Sequence, residues 1–262
     1  MDLGLEGKVA VVAASSRGLG RAAAECLGRE GAAVVINGRT PEHVEAARAS
    51  LEANGTRVHA VVADLNEPGS CERLIEETVD VFGGLDIVIT NNGGPPLGLL
   101  ESFDDAVYRA AVDASLMVAV RLTRASVPHM RARGSGRIIH ITSSTVKQLI
   151  EGLGLSATAR AGVVAFSKGL AQEIAREGIT VNCIAPGPFL TDRIREMARA
   201  RASAEDMTEE EALIAHGKSV PVGRLGDPTE FGDLVAFLAS ARAAYITGAV
   251  IQIDGGVVRA LS

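Results

Sequence analysis

Seven short runs of β-branched and small apolar residues recur along the chain, at 8–14, 32–38, 57–64, 85–91, 136–144, 179–187 and 249–255. Each predicts a strand, and because most carry apolar residues at successive positions, they predict strands buried on both faces. Between the first of them lie "GRAAAECLGREG" (20–31), "PEHVEAARASLEANG" (41–55) and "GSCERLIEETVDVFGG" (69–84), whose apolar residues fall at helical spacing. Strand and helix therefore alternate. That order predicts an α/β fold: one doubly wound domain over residues 1–262, with a parallel sheet of about seven strands and right-handed crossovers. The segment "TDRIREMARARASAEDMTEEEALIAHGK" breaks the rhythm just before the last strand, being charged and helical in pattern. It is expected to form a helical lid over a substrate site at about 190–218.

The first strand runs through "ASSRGLG" (14–20) straight into a helix. A small-residue loop opening a helix lets backbone N–H groups approach a pyrophosphate, with Gly18 and Gly20 permitting the close turn and tight packing. Ala14, Ser16, Arg17, Gly18, Leu19 and Gly20 are accordingly expected to bind a dinucleotide. The strand before the loop and the helix after it make this more than a glycine-rich turn.

Composition narrows the possible partners. A formal net charge of −6, with scattered basic residues, offers no footprint for nucleic acid or an anionic membrane. The N-terminal apolar run is too short and too soon broken for a signal peptide or membrane span, so a cytoplasmic protein is expected. Three widely separated cysteines suggest neither a disulfide framework nor a metal site, and none is expected to bind metal.

Taken in order along nearly the whole chain, these motifs resemble the short-chain dehydrogenase/reductase family, in particular its 3-oxoacyl-ACP reductase-like members. The phosphate loop of that family reads TGxxxGxG, with Ala13 and Ala14 here in place of Thr and Gly. Asp64, followed by Leu65, matches the family's adenine contact. Asn91 and Gly93 in "NNGG" match its NNAG. Pro186, Gly187 and Thr191 in "PGPFLTD" match the stretch that holds the nicotinamide carboxamide. The resemblance implies a Rossmann domain. The second strand ends "VVINGRT" without the carboxylate that usually receives an NAD ribose, whereas Arg39 and Arg17 would flank a 2′-phosphate. NADP(H) is expected in preference to NAD(H).

In the family, a Tyr in YxxxK protonates the alkoxide, the Lys lowers the Tyr pKa and holds the ribose, a Ser binds the oxyanion, and an Asn supports a relay water. Anchoring "AGVVAFSKGLAQEIA" (161–175) on the helix after YxxxK places Arg160 at the Lys position and Ser156 at the Tyr position. Ser143 lies thirteen residues before Ser156 and matches the catalytic Ser, while Ser115 falls at the Asn position. The two tyrosines, Tyr108 and Tyr245, cannot supply the missing phenol in any register. Ser143, Ser156, Arg160 and Ser115 are the expected catalytic set, with Arg160 also beside the cofactor ribose.

A serine hydroxyl is a poor acid and a guanidinium is a fixed charge, so electrostatic stabilisation survives without the usual proton donor. Lys147 would replace that donor only if burial lowered its pKa, and a solvent-facing loop lysine is the plainer reading. His140, inside a strand, is expected to be a hydrogen-bonded structural residue. The resemblance implies an NADP(H)-dependent oxidoreductase acting on a carbonyl or hydroxyl of a small molecule. A lyase, isomerase or cyclase reusing the pocket, or a non-catalytic NADP(H)-binding sensor, remain as alternatives. Self-association into a dimer or tetramer through the long helices near 105–130 and 157–177 is also implied.

Overall fold

The computed structural model describes residues 1–261. Its strands are β1 (Val9–Val12), β2 (Ala33–Gly38), β3 (Val58–Val62), β4 (Ile87–Thr90), β5 (Gly136–Ile141), β6 (Ile179–Pro186) and β7 (Val250–Ile253). They form a seven-stranded, all-parallel sheet in the order β3-β2-β1-β4-β5-β6-β7. All residues of β1, β2, β4 and β6 are buried, whereas the edge strands β3 and β7 are only partly covered.

Side-chain alternation along these strands divides the interior into two cores. Ala10 and Val12 of β1, Val34 and Ile36 of β2, and Ile87 and Ile89 of β4 face one core. Val11, Ala13, Val35 and Val88 face the other. Helix α1 (Gly18–Arg29), α2 (Pro41–Ala53) and α9 (Pro228–Ala239) cover the first side, through Ala23, Leu27, Leu51 and Phe231. On the second side lie α3 (Ser70–Phe82), α5 (Val118–Arg133) and α6 (Gly154–Ile174), through Leu74, Leu122, Met130 and Ile174. Helices α1 and α9 approach closely because Gly232 has no side chain; a Cβ there would strike Cys26 Sγ and lie 3.0 Å from the Ala22 carbonyl carbon.

The helix α4 (Asp105–Val112) continues into α5 through a π-helical turn, Asp113–Met117, which contains Ser115. The expected lid segment folds as two helices, α7 (Asp192–Glu205) and α8 (Glu209–Ser219), hinged at Asp206, whose φ of 52° is left-handed. They bury a small core of their own around Ala198, Ala202 and Ala212. At its base, Leu190 N–H donates to Gly226 O at 2.9 Å and Gly226 N–H to Pro188 O at 3.0 Å, so both ends of the helical pair are pinned together.

The described strands begin or end one to three residues inside the runs read from sequence, because the flanking residues are already making turns and phosphate-loop contacts. All three cysteines are free and buried, and burial pushes Cys71 and Cys183 up to about 11. Among the described residues no helix is long and apolar enough to cross a membrane, and no group of His, Cys, Asp or Glu is placed to hold a metal ion.

Candidate active site

The strand order reverses between β1 and β4, and the loops leaving their C-terminal ends diverge there into a crevice. Ala14 to Gly18 leave β1, and Asn91 and Asn92 leave β4. The two loops are tied together, since Asn91 Nδ2 donates to Ala14 O at 3.4 Å.

The β1 loop has the shape of an anion cradle. Gly18 has φ of 60°, and α1 begins with no side chain capping its N-terminal N–H groups and no acid in its first turn. Those donors and the helix dipole point at the crevice. A Cβ on Gly20 would collide with Ala14 O, and one on Gly38 would sit 2.7 Å from Ser16 Oγ, so backbone closeness there depends on glycine. These features fit a pyrophosphate.

Ala14 itself lies at φ 47°, in the left-handed region. An L-residue there costs roughly 1–2 kcal/mol, of which glycine would return about 0.5–1 through its freer unfolded chain. Ala14→Gly is therefore expected to raise stability by up to about 1 kcal/mol, or Tm by up to about 4 °C in a thermal melt.

Two residues that hold this loop escape a motif reading. Ser15 Oγ donates to Val12 O at 2.6 Å and accepts from Asn37 N–H at 3.0 Å. Asn37, buried at the end of β2, donates through Nδ2 to Val61 O and Ala63 O, both at 3.1 Å, and accepts from Ala14 N–H through Oδ1 at 3.3 Å. It laces β1, β2 and β3 together beneath the crevice. In sequence it is only one polar position of the second strand run, with no motif to mark its side chain.

The expected adenosine contacts are arranged unevenly. Asp64 is half-buried and its Oδ1 accepts from Asn66 N–H at 2.9 Å, while its Oδ2 lies 3.8 Å from Arg39. Arg17 lies 3.8 Å from Asp192 at the start of α7. Both arginines are exposed, and such long surface pairs contribute little, about 0–1 kcal/mol, so both guanidiniums are available to an incoming phosphate. The Leu65 side chain is packed into the second core with Cys71, leaving only its backbone to face a ligand. Gly93 is exposed. Gly187 passes close to Asp254, whose Cα would lie 2.7 Å from a Cβ at that position, and its N–H donates to Ile253 O at 2.9 Å, following buried Pro186. Thr191 caps the start of α7, with its methyl 3.9 Å from where a Gly18 Cβ would be.

Of the expected catalytic residues, Ser156 and Arg160 are bonded to each other on α6, Ser115 lines a cavity with Arg160, and Ser143 lies on the loop after β5. Ser143 lies two residues beyond β5 and caps the 3-10 turn Ser144–Val146, accepting from Thr145 N–H at 3.2 Å, which leaves its own O–H free to donate. Ser156 is buried in the first turn of α6, and the Arg160 guanidinium one turn on donates to its Oγ. Its hydroxyl proton is likewise free. Arg160, Asn91, Asn92, Thr90 and Ser115 line one cavity with about 10 Å³ of free space, room for about one water molecule. Ser115 Oγ is buried without a partner. The π-helical turn directs this position inward, and Asn92 Nδ2 donates to Ala114 O at 2.9 Å beside it.

Arg160 has no carboxylate within ion-pair distance among the described residues. Burial first, and the Arg193 charge second, push its pKa down to about 10, and it remains a cation at neutral pH. Lys147 is half-buried at the end of the 3-10 turn.

His140 is structural, as expected: its Nδ1 lies 2.7 Å from Thr90 Oγ1, it is fully buried, and its Nε2 has no partner. Burial pushes its pKa from 6.5 down to about 4. Between those values the unfolded chain binds more protons than the folded one, so stability held in full above pH 6.5 is lost as pH falls towards 4. The loss is on the order of 3 kcal/mol. Urea midpoints are expected to fall more steeply between pH 7 and 4.5 in the wild type than in His140→Gln.

Fold and site together define a doubly wound α/β protein with a crevice at its topological switch point. Comparison with known proteins makes this specific. The family described as enoyl-(acyl carrier protein) reductase matches residues 13–258. The chain is 35% identical over 255 residues, 97% of this chain and 99% of the relative, to the 3-oxoacyl-(acyl-carrier-protein) reductase FabG of Vibrio cholerae. It is 34% identical to dehydrogenase/reductase SDR family member 4 of Oryctolagus cuniculus, over 96% of this chain and 94% of that one. The crystal structure of L-sorbose reductase from Gluconobacter frateurii, complexed with NADPH and L-sorbose, superposes with a TM-score of 0.96 at 34% identity, covering 100% of both chains. The chain belongs to the short-chain dehydrogenase/reductase family.

Proposed function

We propose that the protein is an NADP(H)-dependent oxidoreductase that reduces a carbonyl group of a small molecule, with Ser156 and Arg160 standing where the family has its Tyr and Lys. The observation that carries this reading is the meeting, at one crevice, of the glycine cradle and the Arg160–Ser115 cavity. Relatives that are reductases, one of them solved with NADPH, support it.

Gly18, Leu19 and Gly20 hold the pyrophosphate, Arg17 and Arg39 the 2′-phosphate, Asp64 the adenine, and Thr191 the carboxamide. When bound, NADPH supplies the hydride that the carbonyl carbon accepts. Ser143 and Ser156 each already accept a bond from a neighbour and donate their free O–H to the carbonyl oxygen. Arg160 places a fixed positive charge beside the oxygen as it becomes anionic, and a desolvated charge is worth more there than in water. No phenol is present, so the proton reaches the alkoxide from water, which Ser115 and Asn91 are placed to hold. Helices α7 and α8 act as the lid that excludes bulk solvent. Self-association into a dimer or tetramer through the long helices α5 and α6 belongs to this reading.

The test is NADPH consumption by the full chain with a panel of activated ketones, after cofactor binding is measured by fluorescence. Slow but ketone-dependent oxidation is expected. Tight binding with no oxidation across the panel would leave a non-redox enzyme or a sensor as the account.

A further inference from the structure

The π-helical turn that carries Ser115 leaves a carbonyl short of its usual donor. Val118 N–H bonds back to Asp113 O, one residue earlier than an α-helix would use, and so releases Ala114 O. Asn92 takes up that carbonyl from the loop after β4, donating through Nδ2 at 2.9 Å. The same Nδ2 donates to Asn66 Oδ1 at 3.1 Å, while Asn92 Oδ1 accepts from Gly93 N–H at 2.8 Å. Both ends of the amide are engaged, which fixes its orientation.

Asn66 in turn holds Asp64. Its Nδ2 donates to Asp64 Oδ1 at 2.8 Å, the oxygen that also accepts Asn66 N–H at 2.9 Å. A continuous run of hydrogen bonds thus leads from Asp64 through Asn66 and Asn92 to the residue before Ser115. It joins the loops after β3 and β4 to the turn between α4 and α5. Ser115 Oγ is buried without a partner, and Asn92 lines the same cavity. With no hydrogen bond of its own to hold it, that hydroxyl stands wherever the turn puts it.

We propose that Asn92 is a positioning residue for Ser115 and that Asn66 couples it to Asp64, so that filling the adenosine end of the crevice steadies the turn at the other end. This rests on the assignment of Asp64 to the adenine made above. Asn66 is exposed and its bonds compete with water, so a nucleotide that orders Asp64 orders Asn66 and the bond to Asn92 with it. Coupling of this kind needs a loss of freedom in the turn and no movement of the backbone.

Hydrogen exchange followed by mass spectrometry tests both parts in the full chain, as wild type, Asn92→Asp and Asn66→Ala, each free and saturated with adenosine 2′,5′-bisphosphate. That probe carries the adenine and the 2′-phosphate and no nicotinamide, so protection at the turn comes through the protein. Asn92→Asp keeps the shape of the side chain and loses both donated bonds. It is expected to speed exchange over 112–119 about three- to tenfold in the free protein, while β6 and α9 exchange as before. In wild type the probe is expected to slow exchange over 112–119 about threefold or more, and in Asn66→Ala to bind without slowing it. Unaltered exchange over 112–119 in Asn92→Asp would overturn the positioning role. Quickening throughout the molecule would overturn it too, since the residue would then hold the fold and not the turn. Protection by the probe that persists in Asn66→Ala would overturn the coupling. Calorimetry on the same samples reads binding: none in wild type would sink the cofactor reading and the coupling with it, whereas a local effect of Asn92→Asp on the free protein would leave the positioning role standing.

Discussion

The paired replacement Ser156→Tyr/Arg160→Lys is expected to raise turnover of an activated ketone with NADPH by about 10²–10⁴-fold, the contribution of a positioned general acid. Both changes are needed. Ser156 is 6% exposed and its Oγ already touches the Arg160 guanidinium, so a phenol ring introduced alone must take the space that guanidinium occupies. Overpacking of that kind costs about 1–3 kcal/mol, and Ser156→Tyr by itself is expected to lower Tm without a matching gain in rate. Arg160→Lys removes the planar head, makes room for the ring and supplies a cation whose pKa burial can move. Alone it is expected to do little, because no phenol is there to be tuned. Steady-state and single-turnover rates of all four proteins check the non-additivity. A pair no faster than wild type would mean that a proton donor other than residue 156 already serves the reaction.

Phe231→Ala is expected to cost about 3–5 kcal/mol, which for a domain of this size is a fall of about 6–20 °C in Tm. Phe231 is fully buried on α9, at the centre of the core between the sheet and helices α1 and α9. Its ring meets Phe189 edge-on, with centroids 5.9 Å apart and planes at 78°. Phe189 in turn packs on Gly226, where a Cβ would lie 2.6 Å from the ring, and it precedes Thr191 and the lid by two residues. Truncation therefore empties a core site and loosens the anchor of α7 together. Calorimetric melting measures the first effect. A rise in the Michaelis constant for NADPH, larger than in an equally destabilising replacement at Leu74 on the opposite face, reports the second.

The doubly wound architecture was legible because buried parallel strands must be apolar at successive positions and their crossover helices must be amphipathic. The phosphate loop was legible because close approach of backbone to an anion restricts the residue types at Gly18 and Gly20. Strand ends were less so: Ala13 and Ala14 continue the apolar run of β1, yet Ala14 turns out of the sheet at positive φ to serve the loop. Asn37 was missed for a related reason. The strand run 32–38 includes it, but its side-chain bonds to carbonyls near the end of β3 depend on how the strands pair, which the run does not record.

Charged side chains mark the real divide. The sequence by itself determined the order of elements, the glycine cradle and the absence of a tyrosine from α6, since each depends on residue type and local spacing. Only the tertiary structure decided which groups face one another: Arg17 meets Asp192 at 3.8 Å, Arg39 meets Asp64 at 3.8 Å, and Arg193 of α7 lies against Gly94 in the loop after β4. Periodicity records which face of a helix is buried. The partner of a long polar side chain depends on where distant segments are brought by the fold, which no local pattern contains.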